Sequence, residues 1–251
     1  MSDNAKLIVA LDVETFEEAL GLMDELGDAV EIYKVGSQLF TACGPVVIRH
    51  ILARGKQVFL DLKFHDIPNT VANAVTAAVN LARPVHEVVD ENRQPRQATD
   101  HLLLCTLHTQ GGPDMLQKAA AAAAKQAQIN GVTKTLLVGI TVLTSDSKTD
   151  NIRDLVLERA RLARESGLDG IVASVQEAAM IRKHFGDDFV IVTPGIRPAG
   201  ADSDDQKRVA TPRDAVEAGS NYLVVGRPIV KAENPAQAAQ DILKQIANAT
   251  A

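Results

Sequence analysis

Along this chain, short β-branched apolar runs alternate with longer stretches in which apolar residues recur with helical period. The runs fall at Leu7 to Leu11, Ile32 to Val35, Gln57 to Leu62, Leu102 to Leu107, Thr135 to Val142, Gly170 to Ala173, Phe189 to Val192 and Tyr222 to Val225. Each is followed by a helical pattern or a loop long enough to carry one. Eight such units predict an α/β protein, a single (β/α)8 barrel spanning residues 1–251, with its active site at the C-terminal ends of the strands. An open doubly wound sheet is the alternative this alternation allows.

The helical stretches carry their own boundary signals. Thr15 and Glu18 form a T-x-x-E capping box ahead of "ALGLMDEL", Pro45 suits the first turn of the next helix, and Asn69 is expected to cap "NTVANAVTAAVNLA". "DMLQKAAAAAAKQAQIN" is low in complexity, yet alanine is the best helix former, so an ordinary outer helix is expected. "NIRDLVLERARLARESG" is amphipathic and stops at Gly167, and "NPAQAAQDILKQIANA" forms the last helix. One segment breaks the rhythm. Residues 83–100, "RPVHEVVDENRQPRQATD", are polar and longer than a usual helix-to-strand connection, and are expected as a surface insertion on the face away from the active site.

Composition narrows the function. With 251 residues the chain can bury a large core as one barrel, and a formal charge of -6 leaves no basic footprint for nucleic acid or an anionic membrane. Aromatics are only 3% with no Trp, so base-stacking platforms are lacking as well. The start, "MSDNAKLIVALDV", has no basic stretch leading into a long apolar region, and no apolar run reaches the roughly 18 residues of a membrane span. A cytoplasmic protein acting on small molecules is expected. Two cysteines, Cys43 and Cys105, show no metal-ligand spacing and read as reduced thiols.

Charged groups then stand out where a barrel places its chemistry. Asp12 ends "LIVALD", Lys34 ends "EIYK", and Asp61 and Lys63 end "QVFLDLK", with Asp66 following in the next turn. Any one of them alone reads as a structural ion pair; four on three successive strands point to a site. Strand alternation puts Asp61 and Lys63 on one face. If Lys63 lies between Asp61 and Asp66, the carboxylates favour its ammonium form, which suits a proton donor and carbanion stabiliser rather than an imine-forming nucleophile. At the other end of the chain, "PGIRPAGADSDDQKR" follows the seventh strand and "VVGRPI" the eighth, the positions whose loops commonly bind phosphate in barrels. Gly226 allows close backbone approach to an anion and Arg227 can make paired bonds to phosphate oxygens, with Arg197 and Gln206 contributing from the long loop. His50, His65 and His108 lack HxxxH or HxE companions, so a metal site is not indicated. Ser145 and Ser174 lack a nucleophile elbow, and there is no GxGxxG or P-loop.

These motifs, taken together, resemble the orotidine 5'-phosphate decarboxylase family over nearly the whole chain. The resemblance rests on "ALDV", "YKVG", "DLKFHDIPNTV", "TVLTS", "TPGIRP", "DDQKR" and "VVGRPI", in family order and at barrel-like spacing. It implies decarboxylation of orotidine 5'-phosphate to UMP and carbon dioxide, without cofactor or metal, by a homodimer whose sites are shared between chains. Carried over by residue, Asp12 and Lys34 contact ribose hydroxyls, and Lys34 joins the charged network. Asp61 and Lys63 face the C6 carboxylate, and Lys63 protonates C6. Asp66, Ile67 and Thr70 reach into the neighbouring subunit's site; Thr144 binds the pyrimidine; Arg197, Gln206, Gly226 and Arg227 hold phosphate or the lid over it. Gln38 stands where an acid is expected in many relatives, and the 83–100 insertion is longer than usual. The alternatives are a magnesium-dependent phosphosugar decarboxylase or aldolase of the same superfamily, sharing a D-x-K-x-x-D core, and a non-catalytic nucleotide-binding protein.

Overall fold

The computed structural model describes residues 5–82, 102–142, 151–198 and 210–250 of the chain. Among them, eight parallel strands close into a barrel in chain order: β1 Lys6–Ala10, β2 Ile32–Gly36, β3 Gln57–Phe64, β4 Leu102–His108, β5 Leu136–Ile140, β6 Gly170–Val172, β7 Val190–Thr193 and β8 Tyr222–Val225. The expected fold is therefore observed, with each predicted run occupied by a strand. The helices are α1 Phe16–Leu26, α2 Ser37–Cys43, α3 Val46–Ala53, α4 Pro68–Asn80, α5 Gly112–Asn130, α6 Ile152–Glu165, α7 Val175–Phe185, α8 Pro212–Glu217, α9 Arg227–Val230 and α10 Pro235–Thr250. The 83–100 insertion lies outside the described residues.

Period-two alternation sorts the strand residues into two cores. Ile8, Ala10, Ile32, Phe59, Leu104, Val138, Val192 and Val224 fill the barrel interior. Their neighbours Leu7, Val9, Tyr33, Val35, Val58 and Leu60 face outward and pack under the helices. The inner core is built from aliphatic side chains and one phenyl ring, in keeping with a low-aromatic sequence. Among the described residues, no helix is long and apolar enough to cross a membrane.

Helix boundaries follow local chemistry, with one correction. Thr15 caps α1 through the predicted box with Glu18, and a second box joins Ser174 to Glu177 at the start of α7, which gives Ser174 a structural role. Asn69 does not cap α4. The cap position is Ile67, and Pro68 opens the helix because its fixed φ and missing N–H suit the first turn. Asn69 instead accepts a hydrogen bond from Lys118 of α5 at 2.8 Å. The alanine-rich α5 packs along α4, burying Met115, Leu116, Ala119, Ala123 and Ala127 at helical spacing. At its far end Asn80 accepts from both Gln126 and Asn130, tying the two helices together.

Candidate active site

The C-terminal ends of the first three strands bring together the charges that the sequence singled out. Because Ile32 and Phe59 point into the barrel, Lys34 and Asp61, two residues further on, also point inward. Lys34 Nζ donates to Asp12 Oδ1 at 2.9 Å and lies 3.9 Å from Asp61 Oδ2, while Lys63 Nζ donates to that same Asp61 oxygen at 2.8 Å. The result is a row of alternating sign, Asp12, Lys34, Asp61, Lys63. Side-chain exposures of 12% for Lys34 and 13% for Asp61 show that the middle of the row is largely withdrawn from water, where each charge depends on its neighbours. Lys63, at 35%, remains accessible to a molecule entering from the barrel mouth.

The backbone under Lys63 departs from a regular strand. Leu60 pairs with Cys105, but the next β3–β4 pair is Phe64 with Leu107, so three residues of β3 face one of β4. Within this bulge Lys63 has φ +52°, a left-handed conformation that costs a non-glycine residue about 1–2 kcal/mol. Its amide donates to the hydroxyl of Thr106 at 2.8 Å, and that hydroxyl donates to Asp61 Oδ1 at 3.0 Å. Simple alternation was thus the right guide to the Asp61–Lys63 contact, but the contact is made from a bulged strand. Thr106 is a residue the sequence reading missed: within "LLLCTLH" it looks like any β-branched strand residue.

Close packing also constrains Lys34. A Cβ built on Gly36 would lie 3.1 Å from Lys34 Nζ, so the glycine of "YKVG" leaves room for the ammonium beside Asp12. Neighbouring titratable groups feel the cluster. Burial, followed by the Asp61 charge, pushes the Cys105 thiol up to about 12, which leaves it a protonated core group. Burial, then His65, Lys63 and Arg159, hold the His108 imidazole below its ordinary range, with Asp61 acting in the opposite sense. His108 and His65 lie with ring centroids 5.5 Å apart. No group of three or more His, Cys, Asp or Glu side chains among the described residues is arranged to hold a metal ion.

Above this row opens a cavity of about 500 Å³, a size suited to a small-molecule ligand. It is lined by Asp12, Lys34, Asp61 and Lys63 at the ends of the first three strands and by Arg197, Gly226, Arg227 and Lys231 after strands seven and eight, with Ala10, Phe59, Ile140, Val172, Val192 and Val224 as its apolar floor. Arg197 is only 6% exposed, on a segment whose Arg197 backbone amide donates a hydrogen bond to the Ala210 carbonyl at 2.9 Å. Arg227 opens the short helix α9 directly after β8, with Gly226 at the cap. Two cationic side chains, a glycine and a short helix after strands seven and eight match the usual phosphate-binding arrangement of barrels. Gln38 lines the cavity too. Sequence spacing had not singled out Lys231 or the apolar floor.

Three predicted site residues lie elsewhere in their own chain. Asp66, Ile67 and Thr70 are exposed at the start of α4 and do not line the cavity; Ile67 is 67% exposed. The Asp66 carboxylate accepts from the Ile67 amide at 2.6 Å, so within one chain Lys63 is paired with Asp61 and not held between Asp61 and Asp66. Thr144 and Gln206 lie outside the described residues.

Comparison with known proteins gives a consistent picture. The model of a family described as the orotidine 5'-phosphate decarboxylase / HUMPS family matches residues 5–242. An orotidine 5'-phosphate decarboxylase from Geobacter sp. (strain M21) is 43% identical over 251 residues, covering 96% of this chain and 95% of the relative. One from Syntrophotalea carbinolica is 43% identical over 253 residues, with 97% and 96% covered. The crystal structure of the Lactobacillus acidophilus orotidine 5'-phosphate decarboxylase superposes with a TM-score of 0.77 at 34% identity, covering 97% of this chain and 99% of that one.

Proposed function

Because the chain belongs to the orotidine 5'-phosphate decarboxylase / HUMPS family, we propose that it decarboxylates orotidine 5'-phosphate to UMP and carbon dioxide in pyrimidine biosynthesis. The observation that carries this reading is that the Lys34–Asp61–Lys63 row, Arg197 and Arg227 line one cavity together with apolar strand residues. Phosphate at the arginine side sets the pyrimidine over the row. Arg227, Gly226, Arg197 and Gln206 hold the phosphate or the lid, Asp12 and Lys34 take the ribose hydroxyls, and Thr144 meets the pyrimidine.

In the reaction the bond from C6 to its carboxylate breaks, carbon dioxide leaves, and the electron pair stays on C6. That vinyl carbanion has no carbonyl in conjugation, so its stabilisation falls to a fixed cation beside it. Lys63 fills this role: its ammonium lies next to C6, transfers a proton to the carbanion, and is reprotonated from solvent. Asp61 fixes the ammonium through the 2.8 Å bond and faces the departing carboxylate. Phosphate, remote from the reacting carbon, contributes binding energy that closes the site and orders the row. No cofactor or metal enters this scheme. The enzyme works as a cytoplasmic homodimer in which Asp66, Ile67 and Thr70 complete the neighbour's site.

The experiment follows loss of orotidine 5'-phosphate absorbance with wild type and Lys63→Ala, each with and without EDTA. Turnover by the wild type that survives chelation, together with its loss in Lys63→Ala, is expected. A folded wild type that leaves the substrate unchanged overturns the assignment and returns the phosphosugar branch to consideration, and EDTA-sensitive turnover overturns the metal-free scheme.

A further inference from the structure

We infer that Thr106 is a positioning residue for the decarboxylation, an inference that rests on the function proposed above. Thr106 is completely buried within the C-terminal half of β4, two residues beyond inward-facing Leu104, a place where packing alone asks for valine. A hydroxyl withdrawn from water there is unfavourable unless bonded, and this one is bonded on both sides. It accepts the Lys63 amide at 2.8 Å and donates its proton to Asp61 Oδ1 at 3.0 Å.

Both bonds bear on the reacting lysine. The register shift leaves three β3 residues opposite one β4 residue, and within it the Lys63 amide takes a side chain as acceptor. The Thr106 hydroxyl therefore holds the left-handed turn that aims Lys63 into the cavity. Its own proton occupies Oδ1 of Asp61, so Oδ2 is the oxygen left for Lys63 at 2.8 Å and Lys34 at 3.9 Å. One hydroxyl, with one donor and two acceptor sites, sets the backbone of the proton donor and the rotation of its carboxylate partner together. Thr106 touches no reacting atom; it acts through Lys63 and Asp61.

The test compares Thr106→Val, which keeps the volume and loses the hydroxyl, with Thr106→Ser, which keeps the hydroxyl and loses a methyl group. Positioning predicts that Thr106→Val lowers kcat by about 10- to 100-fold with KM nearly unchanged, because displacement of a reacting group by a fraction of an ångström to one ångström is felt in the chemical step. Thr106→Ser should recover most of kcat even if its melting temperature falls. A residue that only packs gives the opposite order, with Val benign and Ser the poorer enzyme. Wild-type kcat in Thr106→Val, or equal losses in folded Val and Ser variants, overturns the inference. If Thr106→Val does not fold, Ser decides: kcat near wild type supports the hydroxyl role, and a large loss overturns it. Absence of turnover in the wild type overturns the proposed function itself, which separates that failure from failure of the Thr106 role.

Discussion

Lys63 reaches Asp61 over 2.8 Å from a backbone held at φ +52°, so the ion pair and the left-handed turn are formed by one residue. Position 63 is therefore asked for two things that conflict: a long cationic side chain, and a backbone shape that favours glycine. Replacement of Lys63 should separate them. Lys63→Ala and Lys63→Gly are both expected to lose turnover by about a thousandfold or more, since each removes the cation and the proton donor. Lys63→Gly should nevertheless be the more stable of the two by about 1 kcal/mol, seen as a melting temperature about 2–4 °C higher. Equal melting temperatures would argue against strain at this position.

Much of this site was legible in the residues because apolar strands end abruptly in charge. Asp12, Lys34, Asp61 and Lys63 each interrupt a run that burial should keep aliphatic, and barrel topology says where strand ends point. Thr106 was illegible for the converse reason: a β-branched residue in a strand needs no explanation, and its role exists only through a register shift that brings it to Lys63, 43 residues away in sequence. The turn at Lys63 was hidden because ordinary alternation already brought it to Asp61. At α4 the misplaced cap has a local cause, since Pro68 moves the helix start ahead of Asn69.

Gly36 offers a way to disturb Lys34 without touching any charge. Its backbone, φ −94° and ψ −178°, is extended and accepts alanine, so Gly36→Ala should fold with unchanged or slightly raised stability. The added methyl group, however, meets Lys34 Nζ at 3.1 Å, and the flexible ammonium must give way beside Asp12. Displacement of a group argued to touch both the ribose and the row is expected to lower kcat/KM by about tenfold. Steady-state kinetics beside a thermal melt check this; wild-type kcat/KM in the alanine variant would show that Lys34 has slack the geometry does not suggest.

His108 should leave a signature in the pH dependence of stability. Burial, then His65, Lys63 and Arg159, lower its affinity for a proton in the folded chain. Unfolded chains protonate this imidazole near the ordinary value of about 6.5, so below that pH the unfolded state binds more protons and stability rises with pH. The contribution is complete above about pH 6.5 and is lost as pH falls through the depressed folded value. His108→Gln removes the titration. Its melting temperature should fall less steeply than that of the wild type between about pH 7 and pH 5; parallel curves would mean that His108 protonates equally easily in both states.

Asp66 raises the question of assembly. In its own chain it is exposed, bonded to the Ile67 amide, and absent from the cavity lining, so a catalytic role for it requires a second chain. That requirement can be tested by mixing two inactive proteins. In a heterodimer of Lys63→Ala with Asp66→Ala, one site collects both defects. The other site takes Lys63 from the Asp66→Ala chain and Asp66 from the Lys63→Ala chain, and is intact. Equal mixing with free subunit exchange should therefore restore up to about a quarter of wild-type activity per chain in a two-fold symmetric dimer. Were Asp66 to serve its own chain, each site of the heterodimer would carry one of the two defects; neither site would be intact, and mixing would restore nothing. Absorbance assays before and after exchange distinguish the two outcomes, with a denature-and-refold step to ensure that subunits have mixed.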